Sequence, residues 1–454
     1  MSPSPVPSPR LRSLLAAPPA FALFGLLALC FCCDAVLLGP YALVRLRDGI
    51  ASAVFLDLPE QGRILIEHGL SAWFPKGAGG APALSLPHAP ASPLPLAAAL
   101  VPLGLVHALL ARVGPVALAG YGLFRLLSVR FRVRTPLALL SGVLFALDAA
   151  RHGASYAGAA FFPLFFVLTS ELFEPGRSRL GRLLRALGLA ALCLLIPPDA
   201  ALPLLPLLHA ALLLMPPREA AGIRRLPGVL AVWLGFVLIR APEICGLAGL
   251  PPADPLAKRA GSEILAGLAA ALGAGLRDQP VLALFLCCLP ALWPTRQGRA
   301  AVLLAALSLA LPVAASAAGP ALTRGLDPAH WAAPAPLCLA LACGLGLEEF
   351  CGRPRLPHLL VPVCAVAATR LFSSEEEVLR NGLFLGLGLA GLDLARRRAR
   401  GFVTEFASGV VLFAFCLAGA GMFVKRSDLL ENHAPYAKAF GRHKGLRTLA
   451  REDR

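Results

Sequence analysis

Residues 17–39 read APPAFALFGLLALCFCCDAVLLG, and residues 40–63 follow with PYALVRLRDGIASAVFLDLPEQGR. The first run is apolar except for Asp34 near its end. At about 1.5 Å of rise per residue it is long enough for a helix to cross a hydrocarbon core of about 30 Å. The second run then sets Arg45, Arg47, Asp48, Asp57, Glu60 and Arg63 directly beyond the apolar run. An apolar helix that stops at a knot of charge has the pattern of a membrane exit, and the fold class follows from whether that pattern recurs.

It does recur. The chain has 454 residues, 57% hydrophobic and only 15% charged, with a mean hydropathy of +0.72. So little charge cannot cover a soluble domain of this size. Apolar runs follow one another from residue 17 to residue 424 with no long polar domain between them. The expected fold is therefore an all-α polytopic transmembrane helical bundle, with one membrane domain over residues 17–424. Residues 1–16 form a cytoplasmic N-terminal segment and residues 425–454 a basic tail. MSPSPVPSPRLRSLL lacks the pattern of a cleaved signal, so residues 17–39 are expected to remain as the first span.

The net charge of +16 would suit a nucleic-acid partner. The basic residues are instead scattered through short loops between apolar runs, which is the pattern of topology signals, and we expect no nucleic acid. The twelve cysteines lie mostly inside apolar runs, without metal-ligand spacing or a disulfide framework, and read as small packing residues.

Lys and Arg in short loops mark the cytoplasmic side. With Arg10 and Arg12 inside, six later clusters can share that side. They are Arg125/Arg130/Arg132/Arg134, Arg177/Arg179/Arg182/Arg185, Arg218/Arg224/Arg225, Arg296/Arg299, Arg353/Arg355 and Arg396/Arg397/Arg398/Arg400. Asp393 then reads as their counter-charge. The path has about thirteen spans, with eleven as its lower bound. They are 17–39, one crossing within 92–128, then 136–149, 155–172, 183–197, 200–216, 226–241, 279–294, 299–317, 332–348, 356–371, 380–395 and 402–423. The N-terminus is cytoplasmic and the tail extracytoplasmic. ARVGP at 111–115 is expected to break its apolar stretch, and residues 261–276 to lie as an interfacial helix.

On this path residues 40–91 are the first extracytoplasmic loop. VFLDLPEQGRILIEHGL reads as an amphipathic helix on the membrane surface, with Val54, Leu58, Ile64 and Leu65 toward lipid. FPKGAGGAPALSLPHAPASPLP reads as a Pro/Gly loop with little regular structure.

Three charged constellations fall outside. Asp48 stands between Arg47 and Gly49, with Arg45 three positions earlier. A carboxylate at the mouth of an apolar bundle can act as a base or hold a divalent metal, and guanidinium groups grip phosphate oxygens. The plainer reading is a solvated loop whose arginines snorkel to headgroups. FALDAARHGASY places Asp148, Arg151, His152 and Tyr156 at a bilayer edge, where ionisable groups are functional candidates. LTRGLDPAHWAAP adds Arg324, Asp327, His330 and the interfacial anchor Trp331. Arg240 and Glu243 read as outer polar groups, and His209 and His358 as lone interior histidines without a role. No Walker loop, HExxH or serine-hydrolase elbow occurs, which disfavours an ATP-driven transporter.

The order of first span, charged outer loop and many further spans resembles the GT-C superfamily of membrane glycosyltransferases. GPYALVRLRDGIAS is similar to the first-loop signature G-P-Y-x-x-x-R-x-H-D-N-L-D-S of one bacterial branch, and HGASYAGAAFFPLFFVLTSEL resembles a later segment of that branch. The resemblance implies transfer of a sugar from a polyprenyl-phosphate donor to an envelope glycan or lipid acceptor, in the inner membrane of a bacterial cell. It places catalysis on Asp48. Four positions depart from the signature, two of them chemically: Arg47 stands at its His and Ala51 at its second Asp, while Gly49 and Ile50 stand at its Asn and Leu. Asp148 or Asp57 would then supply a second acidic group, and Arg45, Arg47, Arg151, His152, Arg324 and His330 the phosphate and substrate contacts. The competing classes are a transporter or flippase, and a non-enzymatic partner in polysaccharide assembly, which Ala51 would suit.

Overall fold

The structure is a computed structural model. It describes residues 18–38, 49–69, 73–74, 81–82, 93–101, 103–152, 157–173, 178–196, 208–209, 211–212, 226–241, 244, 285, 288–289, 291–318 and 334–352. The expected spans at 356–371, 380–395 and 402–423, the interfacial helix at 261–276, Asp393 and the tail lie outside these residues.

The described chain is a helical bundle. Its helices are α1 (Pro18–Phe31), α2 (Cys33–Leu38), α3 (Gly49–His68), α4 (Pro93–Leu100), α5 (Leu103–Val106), α6 (Gly114–Arg125), α7 (Thr135–His152), α8 (Ala157–Leu172), α9 (Arg179–Leu195), α10 (Leu226–Ile239), α11 (Arg296–Ala318) and α12 (Pro334–Gly352). Segments of π-helix at His107–Val113 and Leu126–Arg130 extend α6 at both ends. Most of these helices fall on the expected apolar runs, because uninterrupted apolar sequence forms internally bonded helix wherever it is removed from water.

One local expectation is corrected. ARVGP does not break its helix: the chain runs as one helix from Ala108 to Arg130. Pro115 lacks an N–H and crowds the preceding turn. Here that turn is widened, with the Gly114 N–H bonding five residues back to the Leu109 carbonyl. A Cβ on Gly114 would lie 2.7 Å from that oxygen, so glycine is what fits the π-turn. In and beside the Pro/Gly loop, the described residues before Pro93 make one short pairing. Trp73 and Phe74 (β1) pair antiparallel with Pro82 and Ala81 (β2).

Among the described residues, Ala108–Arg130 is the one helix long and apolar enough to cross a membrane by length and composition. Shorter apolar helices run over Ala20–Phe31, Leu137–Leu147, Ala160–Leu172 and Leu226–Ile239. They fall short of the roughly 20 residues of an upright crossing.

The core forms where α6 packs against α7, α8 and α1. Phe24, Leu123, Leu127, Phe145, Phe162 and Phe165 are fully buried there. The buried hydroxyls of Ser141, Thr169, Ser170 and Ser308 each donate to a carbonyl three or four residues earlier in their own helix. The cysteines behave as packing residues: Cys32, Cys33, Cys193, Cys288, Cys338 and Cys343 are buried free thiols. His209 is not a lone histidine. Its Nδ1 accepts a 2.9 Å hydrogen bond from the Trp233 indole N–H, between the rings of Phe165 and Phe166. The imidazole therefore carries its proton on Nε2 and ties α10 to α8.

Within the core, α6 and α7 approach closely backbone to backbone. A Cβ on Gly142 would lie 2.6 Å from the Gly120 carbonyl oxygen and 2.8 Å from Phe24 Cζ. Gly142→Val should therefore force α6, α7 and α1 apart and lower Tm in detergent, at an overpacking cost of about 1–3 kcal/mol. Gly25 has nothing within 4 Å of its would-be Cβ. Gly25→Ala should hold or raise Tm, since alanine is the better helix former. Equal responses from the two variants would contradict this packing.

Candidate functional site

The two ends of the bundle carry different chemistry. At one end α6 finishes, α7 begins, α8 finishes, α9 begins and α12 finishes. Glu171, only 3% exposed, accepts from Arg125 at 2.6 Å on one carboxylate oxygen and from Arg185 at 2.9 Å on the other. This ties the tail of α8 to α6 and α9. Glu348 near the end of α12 takes the Arg134 backbone N–H at 3.0 Å and its guanidinium at 3.3 Å. Ser178 caps α9 by accepting from the Gly181 N–H. The described arginines of residues 125–134 and 179–185 thus gather at one end. Sequence reading missed their counter-charges, Glu171 and Glu348; the available signal was an acid in the last turn of an apolar helix beside an arginine cluster.

The opposite end holds the candidate site. α7 carries Asp148, Arg151 and His152 in its closing turns. Gly120 and Ala146 meet across the α6–α7 packing. From that contact, Arg112 lies eight residues back along its helix, and His152 lies six residues on from Ala146. The two helices run antiparallel, so both residues stand roughly 10 Å beyond the contact at the same end. α2, with Asp34 in it, packs against the π-turn that contains Arg112. One end of three packed helices therefore collects Asp34, Arg112, Asp148, Arg151 and His152.

Asp57 lies in α3, whose main packing partner is α4, so it is not on the element that carries Asp148. Asp48, Arg45, Arg47, Arg324 and His330 lie outside the described residues; Asp48 immediately precedes the first residue of α3. Ile64 and Leu65 of α3 are half-buried and Ile66 is exposed, while Gln61 is buried, so α3 is seated on a partner helix along part of its length. Arg240 is also corrected. It is 2% exposed, and its guanidinium donates to the Ile196 carbonyl at 2.7 Å, closing the end of α9 instead of facing water. Among the described residues no three His, Cys, Asp or Glu side chains gather to hold a metal ion.

Comparison of the chain with protein-family models, with curated proteins and with solved structures finds no match.

Proposed function

We propose that the chain is a multi-span membrane glycosyltransferase of GT-C type, which moves a sugar from a polyprenyl-phosphate donor to a glycan or lipid acceptor at the outer leaflet. The observation that carries this reading is the gathering of Asp34, Arg112 and Asp148–His152 at the end of the bundle opposite the Glu171 arginines. A basic end and a mixed acid–base end are what a cytoplasmic face and an extracytoplasmic reaction face require. Outward leucines support a lipid surround. Leu230, Leu234 and Leu238 form an exposed ridge along α10, and Leu303 and Leu307 face out from α11. Such ridges are rare on soluble monomers.

In this mechanism the lipid tail lies between helices and its phosphate rests on arginines at the mixed end. Asp48 takes the proton from the acceptor hydroxyl as that oxygen bonds to the anomeric carbon. The bond to the phosphate oxygen breaks, and polyprenyl phosphate leaves carrying the electron pair. Arginine beside the leaving group stabilises the charge that develops there. The location is the inner membrane, and the divalent metal admitted by the carboxylate chemistry would sit at Asp48.

A second reading is favoured by one observation: Ala51 replaces an acidic position of the resembling signature. It makes the chain a non-enzymatic assembly partner or lipid carrier with the same outer end. Lipid-linked sugars and envelope glycan compared with and without the gene decide between them. Accumulated donor and a glycan lacking one sugar are expected; unchanged pools of both would contradict transfer.

A further inference from the structure

Arg112 is the anomaly of the mixed end. Its side chain is 8% exposed and its Nε is buried without a hydrogen-bond partner. Among the described residues it has no hydrogen bond or ion pair. Arg240 differs, since its guanidinium bonds the Ile196 carbonyl; the Nε of Arg130 is likewise buried without a hydrogen-bond partner, but that residue has other interactions, among them the Phe131 ring. Around Arg112 the same helix buries Val106, Ala108, Val113 and Val116. A lysine or histidine so placed could shed its proton, but a guanidinium cannot, so the charge stays and must find an anion. The residue sits in a π-turn, a distortion that re-aims side chains and recurs at functional sites.

We propose that Arg112 is a binding residue for the phosphate ester of a membrane lipid. A planar fork of donors matches phosphate oxygens in bidentate fashion. Leu109 and Leu110, exposed on the same π-turn, offer apolar surface to a hydrocarbon chain, and the height shared with Asp148–His152 puts the phosphate at the mixed end. The site itself stands on the Arg112 geometry; assigning the lipid as the polyprenyl-phosphate donor rests on the transferase reading.

The test uses the full chain in dodecyl maltoside, a detergent without phosphate, with decaprenyl phosphate, phosphatidylglycerol or inorganic phosphate added as probe. Decaprenyl phosphate should raise Tm, and Arg112→Met should weaken its binding on the order of tenfold to hundredfold. Arg112→Lys should keep part of the affinity. Without added lipid, R112M should match or exceed the wild-type Tm, since it removes a buried Nε that has no hydrogen-bond partner. A lower Tm with unchanged binding would make Arg112 structural and overturn the proposal, as would equal binding by wild type and R112M. Arg112-dependent binding of phosphatidylglycerol as tight as that of decaprenyl phosphate would keep the lipid-phosphate site but overturn the donor assignment. Inorganic phosphate binding as tightly as either lipid would overturn the lipid part. Arg112-dependent binding by a wild type that transfers no sugar would sink the transferase reading and leave this site standing.

Discussion

Asp48→Asn is expected to abolish sugar transfer while the protein still reaches the membrane and keeps its Tm. The carboxylate is asked to take a proton from an acceptor hydroxyl that has almost no tendency to ionise unaided. Positioned general-base help of this kind contributes about 10²–10⁴-fold to rate. Asparagine preserves shape and hydrogen bonding but cannot accept the proton. Asp48 immediately precedes Gly49, the first residue of α3, and α3 packs chiefly against α4. The assay is transfer of radiolabelled sugar from a polyprenyl-phosphate donor in isolated membranes. Activity of Asp48→Asn within a few-fold of wild type would remove Asp48 as the base. Activity lost together with expression would make Asp48 structural.

Glu171→Ala is expected to be the most destabilising single change at the other end. Glu171 is 3% exposed and each of its oxygens receives a different guanidinium. Deleting it leaves Arg125 and Arg185 facing one another, each about one-fifth exposed, with no anion between them. Breaking a buried ion network from one side costs about 3–5 kcal/mol, chiefly because the remaining charges lose compensation. Replacing all three members with apolar residues of similar volume, Arg125→Met, Glu171→Leu and Arg185→Met, should recover most of that loss. Thermal unfolding in detergent reads both. A triple variant as unstable as Glu171→Ala would show that the geometry of the ionic network, and not charge compensation, holds α6, α8 and α9 together.

The helices of the bundle were legible because long apolar runs leave the backbone few options. Residues 136–149 and 155–172 were expected as spans, and the helices are Thr135–His152 and Ala157–Leu172. What escaped reading was local. Pro115 signals a break in any one-dimensional account, and only the widened turn before it lets the helix continue. Arg112 was counted as part of that break, so its burial had no sequence sign. Glu171 and Glu348 passed as span ends, because pairing between helices depends on which ends meet in space. The polar cluster at Asp148–His152 was found from composition alone, whereas its shared height with Arg112 required the α6–α7 contact at Gly120 and Ala146.

The account rests on the two ends facing opposite sides of a membrane. In a background with the native cysteines replaced, His68→Cys on exposed α3 and Arg179→Cys at the exposed start of α9 give one thiol for each side. A membrane-impermeant maleimide should label H68C on intact cells and label R179C only after permeabilisation. Labelling of R179C from outside with H68C protected would invert the topology, place the Asp48 segment in the cytoplasm, and contradict sugar transfer at the outer leaflet.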